Sequence, residues 1–246
     1  MKLLTVALLL FVAGACLAQA DYAREKRWAE EITPGLVVGD ALYLTQTSGH
    51  KFLAIYAGAA LARPAVIVVH GMGVHPDWAL IGALRSGLFD LGYATLSVQM
   101  PVLAADAKAE GYVALFADAA DRLKSAVAYL QSKGHHRIAL ASHSMGSRMS
   151  NYFLASNPGG GVDAWVCIGI SNGELADPAR LRVPVLDIYG ARDFPQVTQQ
   201  APQRMAALKL LKGSAQFEVA GADHYFTGSE GELVRQVRQF LDQKIK

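Results

Sequence analysis

The pentapeptide Ser142-His143-Ser144-Met145-Gly146 sets one serine between small residues two positions away on either side. The apolar run Ile138 to Ala141 before it reads as a buried strand, and Ser147 to Ala155 after it reads as a helix. A strand-to-helix turn of this kind is too tight for bulky flanking side chains, and its strained backbone pushes the central hydroxyl into the open. Ser144 is therefore the candidate nucleophile, suited to attack on an acyl carbonyl. The first small position is Ser142, where the pattern prefers glycine.

A serine hydroxyl needs a base to take its proton and a third group to orient that base. On such a sheet the expected chain order is serine, acid, histidine. His224, in Gly221-Ala222-Asp223-His224, is the one histidine downstream of Ser144. It follows Phe217 to Val219, a short final strand. Asp193 is the expected acid, reached from the run Val185 to Tyr189 through Gly190-Ala191-Arg192. Glu174 is the second choice. Asp187 lies inside the strand, and Asp223 adjoins the histidine and should point elsewhere. The negative charge of a tetrahedral intermediate calls for fixed donors. The N–H of Met145, just after the nucleophile, is one. Met72, in His70-Gly71-Met72-Gly73 after an earlier strand, is assigned the other, because glycines let backbone approach a substrate closely. Trp78, Gln99 and Asn172 are expected to line the pocket.

These residues need a scaffold that gathers them. Ala65 to Val69, Ala94 to Val98, Ile138 to Ala141, Ala164 to Ile168 and Val185 to Tyr189 are apolar runs with little alternation, as expected of strands buried on both faces. Helical stretches separate them. Tyr112 to Lys133 carries Leu115, Ala119, Leu123, Ala126, Val127 and Leu130 at helical spacing, and Glu232 to Lys244 carries Leu233, Val237, Phe240 and Leu241 on one face. Tyr22 to Ile32 reads as a further helix, and Ala41 to Leu44 and Phe52 to Tyr56 as a strand pair around Thr47-Ser48-Gly49. The pattern predicts an α/β fold: a mostly parallel sheet with helices on both faces, whose chemistry gathers at the carboxyl ends of the strands. The short connection from Ile170 to Val183 leaves no room for a large lid domain, and Val102 to Gly111 is placed to cover the site instead.

The 246 residues fit a single domain, 52% hydrophobic and only 18% charged, with a net charge of +2 that argues against nucleic-acid binding through general basicity. Lys2, the apolar run Leu3 to Ala13 and Ala18-Gln19-Ala20 compose an export leader, with cleavage expected after Ala20 and a periplasmic destination. The run is short for an uncleaved anchor. Acylation of Cys16 is the lipoprotein alternative, and the one route to a membrane surface. Cys167, in Trp165-Val166-Cys167-Ile168, reads as a small core hydrophobe. The spacing of His70, His75, His143 and His224 matches no metal motif, and the loop at His70 lacks the lysine of a phosphate loop, so no metal or cofactor is expected.

From about Ala65 to Phe240 the chain resembles the α/β-hydrolase superfamily. Arg27-Trp28-Ala29-Glu30, Val38-Gly39-Asp40, His70 to Trp78 and Thr95 to Pro101 resemble, more narrowly, a proteobacterial exported family of unknown function within it. The superfamily likeness implies a Ser–His–acid mechanism on a small-molecule or acyl substrate. The narrower one implies no substrate. The expectation is a serine esterase using Ser144, His224 and Asp193. A non-catalytic binding protein on the same scaffold is the alternative.

Overall fold

The computed structural model describes residues 19–60 and 63–245. The expected leader and Cys16 lie outside them, apart from Gln19 and Ala20. Among the described residues eight strands form one sheet: β1 (Asp40–Thr45), β2 (Lys51–Ala57), β3 (Ala65–Val69), β4 (Ala94–Val98), β5 (Ile138–His143), β6 (Ala164–Ile168), β7 (Val185–Arg192) and β8 (Ala215–Asp223). Their spatial order is β1-β2-β4-β3-β5-β6-β7-β8. The hairpin β1–β2 joins antiparallel, with Ala41 opposite Ile55, and β2 pairs antiparallel with β4. All remaining pairs are parallel.

The near-continuous apolar runs have a direct cause. In β3, Ala65, Ile67 and Val69 enter the core on one face, and Val66 and Val68 enter the core on the other; all five are fully buried. Each large aliphatic side chain so placed stabilises the fold by about 1.5–3 kcal/mol relative to exposure. Among the described residues seven α-helices cover the sheet: α1 (Tyr22–Ile32), α2 (Ala79–Asp90), α3 (Phe116–Ser132), α4 (Met145–Ser156), α5 (Pro195–Gln199), α6 (Ala201–Leu208) and α7 (Glu230–Lys244). Helices α2 and α7 pack together on one face, their apolar stripes meeting Val66, Val68, Val166 and Ile188. Helices α3 and α4 pack together on the other, around Ile67, Leu140 and Trp165. Among the described residues no helix is long and apolar enough to cross a membrane.

Several element boundaries differ from those expected. The helix expected from Tyr112 begins at Phe116, because Ala109–Leu115 winds as a tighter 3-10 turn. That turn buries Tyr112 and Leu115 three residues apart, the spacing that a threefold winding stacks, and the Tyr112 hydroxyl accepts the Leu103 N–H at 3.2 Å. Strands β5, β7 and β8 also run past their expected stretches, β5 and β7 to His143 and Arg192 and β8 over Ala215–Asp223, since the ladder continues through His143 opposite Ile168, Leu186 opposite Ala215 and Arg192 opposite Asp223.

Candidate active site

The carboxyl ends of β3, β5, β7 and β8 deliver His70, Ser144, Asp193 and His224 to one rim. Ser144 occupies the corner between β5 and α4 with φ +57° and ψ −118°, a conformation that non-glycine residues adopt only under strain. Its surroundings enforce it. The Ser144 N–H donates to the Ile168 carbonyl at 2.9 Å, and the Ser147 hydroxyl donates to the Ser142 carbonyl at 2.6 Å. Gly146 passes so close to β3 that any β-carbon there would collide with the His70 carbonyl oxygen. Ser142 fits where glycine was the expected type because its hydroxyl is used: it accepts the buried Trp165 indole N–H at 2.7 Å. A buried indole donor needs an acceptor, and glycine offers none.

Ser144, His224 and Asp193 come together. Ser144 Oγ lies 2.9 Å from His224 Nε2, and His224 Nδ1 lies 2.6 Å from Asp193 Oδ1. A carboxylate only accepts, so Nδ1 carries the proton and Nε2 presents its lone pair to the serine. Asp193 is fixed in turn by the Phe194 N–H, which donates to Oδ1 at 2.7 Å. Gly169, at φ +50°, makes room for the pair: a β-carbon there would sit 2.9 Å from Asp193 Oδ2 and 3.3 Å from His224 Nδ1. The second-choice acid, Glu174, is exposed and lies outside this cluster. Asp187 is buried in an ion pair with Arg204 at 2.8 Å, and Asp223 accepts the N–H groups of Tyr225 and Thr227.

A cavity of about 660 Å³ opens over Ser144. Trp78 and Asn172 line it, together with Met72 and Met145, and one wall is formed by Ala109 and Glu110 from the stretch Val102 to Gly111 and by Val113 just beyond it. Met145 begins α4, where the first N–H groups have no partner within the helix. The Met72 N–H also donates to no acceptor among the described residues.

Gln99 is a correction. It is buried beneath the site and does not line the cavity: its amide donates to His70 Nε2 at 3.0 Å and to the Met100 carbonyl at 2.8 Å. The Met100 N–H also donates to His70 Nε2, at 2.8 Å, so the proton sits on Nδ1 and is given to the Gly71 carbonyl at 2.8 Å. His70 thus ties the Gly71–Met72 loop to the Gln99–Met100 segment just after β4. Burial holds its pKa down to about 3.

Several contributors carried no sequence signal of their own. His143 Nε2–H donates to the His224 backbone carbonyl at 2.9 Å, and burial, then the charge of His224, hold His143 down to about 4. Phe194 stacks on the His224 ring at 4.1 Å. Arg24 of α1 donates to the Leu103 carbonyl at 2.9 Å and the Gly73 carbonyl at 3.2 Å, bracing the loop after β3. Only adjacency to the motif residues could have singled out His143 and Phe194. Among the described residues no group of three or more His, Cys, Asp or Glu is arranged to hold a metal ion, and Cys167 is buried with its thiol pKa pushed up by desolvation.

Comparison with solved structures places the fold. A Pyrococcus furiosus esterase is 16% identical with a TM-score of 0.68, over 85% of this chain and 92% of its own. A dienelactone hydrolase from Anabaena variabilis is 18% identical with a TM-score of 0.67, over 85% and 98%. A Xanthomonas campestris α/β serine hydrolase described as having no lid is 14% identical with a TM-score of 0.63, over 85% and 96%. Identities this low establish the α/β-hydrolase fold alone. A search of curated proteins finds no match. The model of a family described as "Protein of unknown function (DUF3530)" matches residues 6–115 and 114–243. With nearly its whole length matched, the chain belongs to the DUF3530 family and has the α/β-hydrolase fold.

Proposed function

We propose that the protein hydrolyses an ester or related acyl bond, with Ser144 as nucleophile, His224 as general base and acid, and Asp193 as the group that orients His224. One observation carries the reading: the unbroken line Ser144 Oγ, His224 Nε2, His224 Nδ1, Asp193 Oδ1, with steps of 2.9 and 2.6 Å, at the floor of an open cavity. As Ser144 attacks the acyl carbon, its proton passes to His224 Nε2, and Asp193 stabilises the resulting imidazolium. The carbonyl oxygen becomes an oxyanion met by the N–H groups of Met145 and Met72. One such donor contributes about 3 kcal/mol to the transition state. The proton on Nε2 then goes to the departing alkoxide. Water repeats the sequence on the acyl-serine, restoring Ser144 and releasing the acid.

The test is labelling of purified protein with a fluorophosphonate, alongside a panel of 4-nitrophenyl esters. The expected result is stoichiometric modification at Ser144 and turnover that disappears in Ser144→Ala. Folded wild-type protein that stays unlabelled would favour a binding protein on this scaffold, and undiminished turnover by Ser144→Ala would exclude the serine mechanism.

A further inference from the structure

The wall of the cavity over Ser144 contains one arginine, Arg148, half-buried on α4 one helical turn beyond the nucleophile. Its contacts are weak ones: Nη1 lies 3.7 Å from the Met145 sulfur, and Cζ lies 5.4 Å from the centre of the Phe116 ring. Among the described residues no carboxylate forms an ion pair with it. Glu110, exposed on the rim of the same cavity, attracts it only from beyond ion-pair distance.

Such a placement is costly on two counts. Partly removing a cation from water without an ion-pair partner is unfavourable, and partial burial lowers the Arg148 pKa while distant Glu110 raises it. Arg148 also sits in the first turn of α4, where the positive end of the helix dipole repels a cation and attracts an anion. The buried arginines elsewhere are neutralised: Arg122 by Glu25 at 2.9 Å, Arg204 by Asp187 at 2.8 Å, and Arg85 by Asp77 at 2.5 Å. Arg148 differs from all three in facing a cavity instead of a carboxylate. The helix dipole and the guanidinium both favour a negative group in that space. Around it Trp78, Val113, Phe194 and Tyr225 offer apolar surface for the rest of a ligand.

We propose that the substrate is an amphipathic ester carrying a carboxylate or similar small anion, and that Arg148 receives the anion while the apolar body lies against Trp78, Phe194 and Tyr225. The proposal rests on the hydrolase reading for the word ester, and on the unpaired guanidinium for the word anion.

Two matched pairs of esters test it: mono-4-nitrophenyl glutarate against 4-nitrophenyl pentanoate for an acyl-side anion, and 3-carboxyphenyl against 3-carbamoylphenyl pentanoate for an alcohol-side anion. In wild-type protein one anionic ester should exceed its neutral partner in kcat/KM by about 10- to 100-fold, the scale of a charge-assisted hydrogen bond. That ratio should fall to about one in Arg148→Met and recover in part in Arg148→Lys. Ratios near one in the wild type, or equal losses on both members of each pair in Arg148→Met, would overturn the proposal. Calorimetry on Ser144→Ala protein separates this outcome from failure of the hydrolase reading, because it needs no turnover. Tighter binding of 4-phenylbutyrate than of 4-phenylbutyramide, abolished by adding Arg148→Met, would support the anion site even if no ester is cleaved. Equal binding of the two, or binding of neither, would overturn it.

Discussion

At the scale of single residues, the reach of the sequence followed from chain order. Ser144, Asp193 and His224 could be named because the pattern around a strand-to-helix serine constrains what must come after it, and each of the three follows an apolar run. Side chains that act on those residues through the backbone were invisible. His143 is the clearest: nothing in its type announces that its ring will hold the His224 carbonyl at 2.9 Å. Replacing it with leucine leaves that buried carbonyl unpaired and frees the His224 imidazole to drift. We expect His143→Leu to lower kcat on an activated ester by about 10- to 100-fold with a much smaller change in KM. His143→Gln, which keeps an N–H at similar reach, should recover most of it. A loss confined to KM, or identical behaviour of the two variants, would show that the ring does not position His224. Gln99 failed in the opposite direction: a polar residue just past a strand suggested a pocket wall, whereas the buried His70 ring had first claim on its amide.

At the scale of elements, the strands whose two faces are both buried were readable to the residue, as β3, β4 and β6 were, because every position in them is apolar or small. Boundaries slipped where polar residues extend a ladder, in β5, β7 and β8, and where a 3-10 turn precedes α3. The most consequential joint is the corner between β5 and α4. Its strain is local and measurable. Ser144→Ala and Ser144→Gly both remove the hydroxyl, but only glycine relaxes the φ of +57°. Urea denaturation should find Ser144→Gly the more stable of the two by about 1 kcal/mol, against the usual penalty for glycine. The reverse order would mean that the corner stores little strain.

At the scale of the whole molecule, buried imidazoles couple the fold to pH. The folded chain holds His70 neutral down to about 3 and His143 down to about 4, whereas the unfolded chain protonates both near pH 6.5. Their contribution is complete above that pH and is lost as pH falls from about 6.5 toward 4. Each histidine accounts for about 1.4 kcal/mol per pH unit across the window. Buried Glu25 and Asp187, whose carboxyls desolvation pushes up, act in the opposite sense near its acid end, so the wild-type curve alone mixes the effects. The difference between wild type and His143→Gln isolates one imidazole. Denaturation at pH 7, 6 and 5 should show the variant losing stability more gently by about one proton's worth, and parallel curves would acquit His143. The His70 bridge has one more effect. The carbonyl that takes its proton belongs to the same peptide group as the Met72 N–H. Electron density drawn toward that oxygen leaves the amide hydrogen on the opposite side more positive. In the proposed reaction, an imidazole outside the cavity lining thereby sharpens the greeting that the loop extends to incoming negative charge.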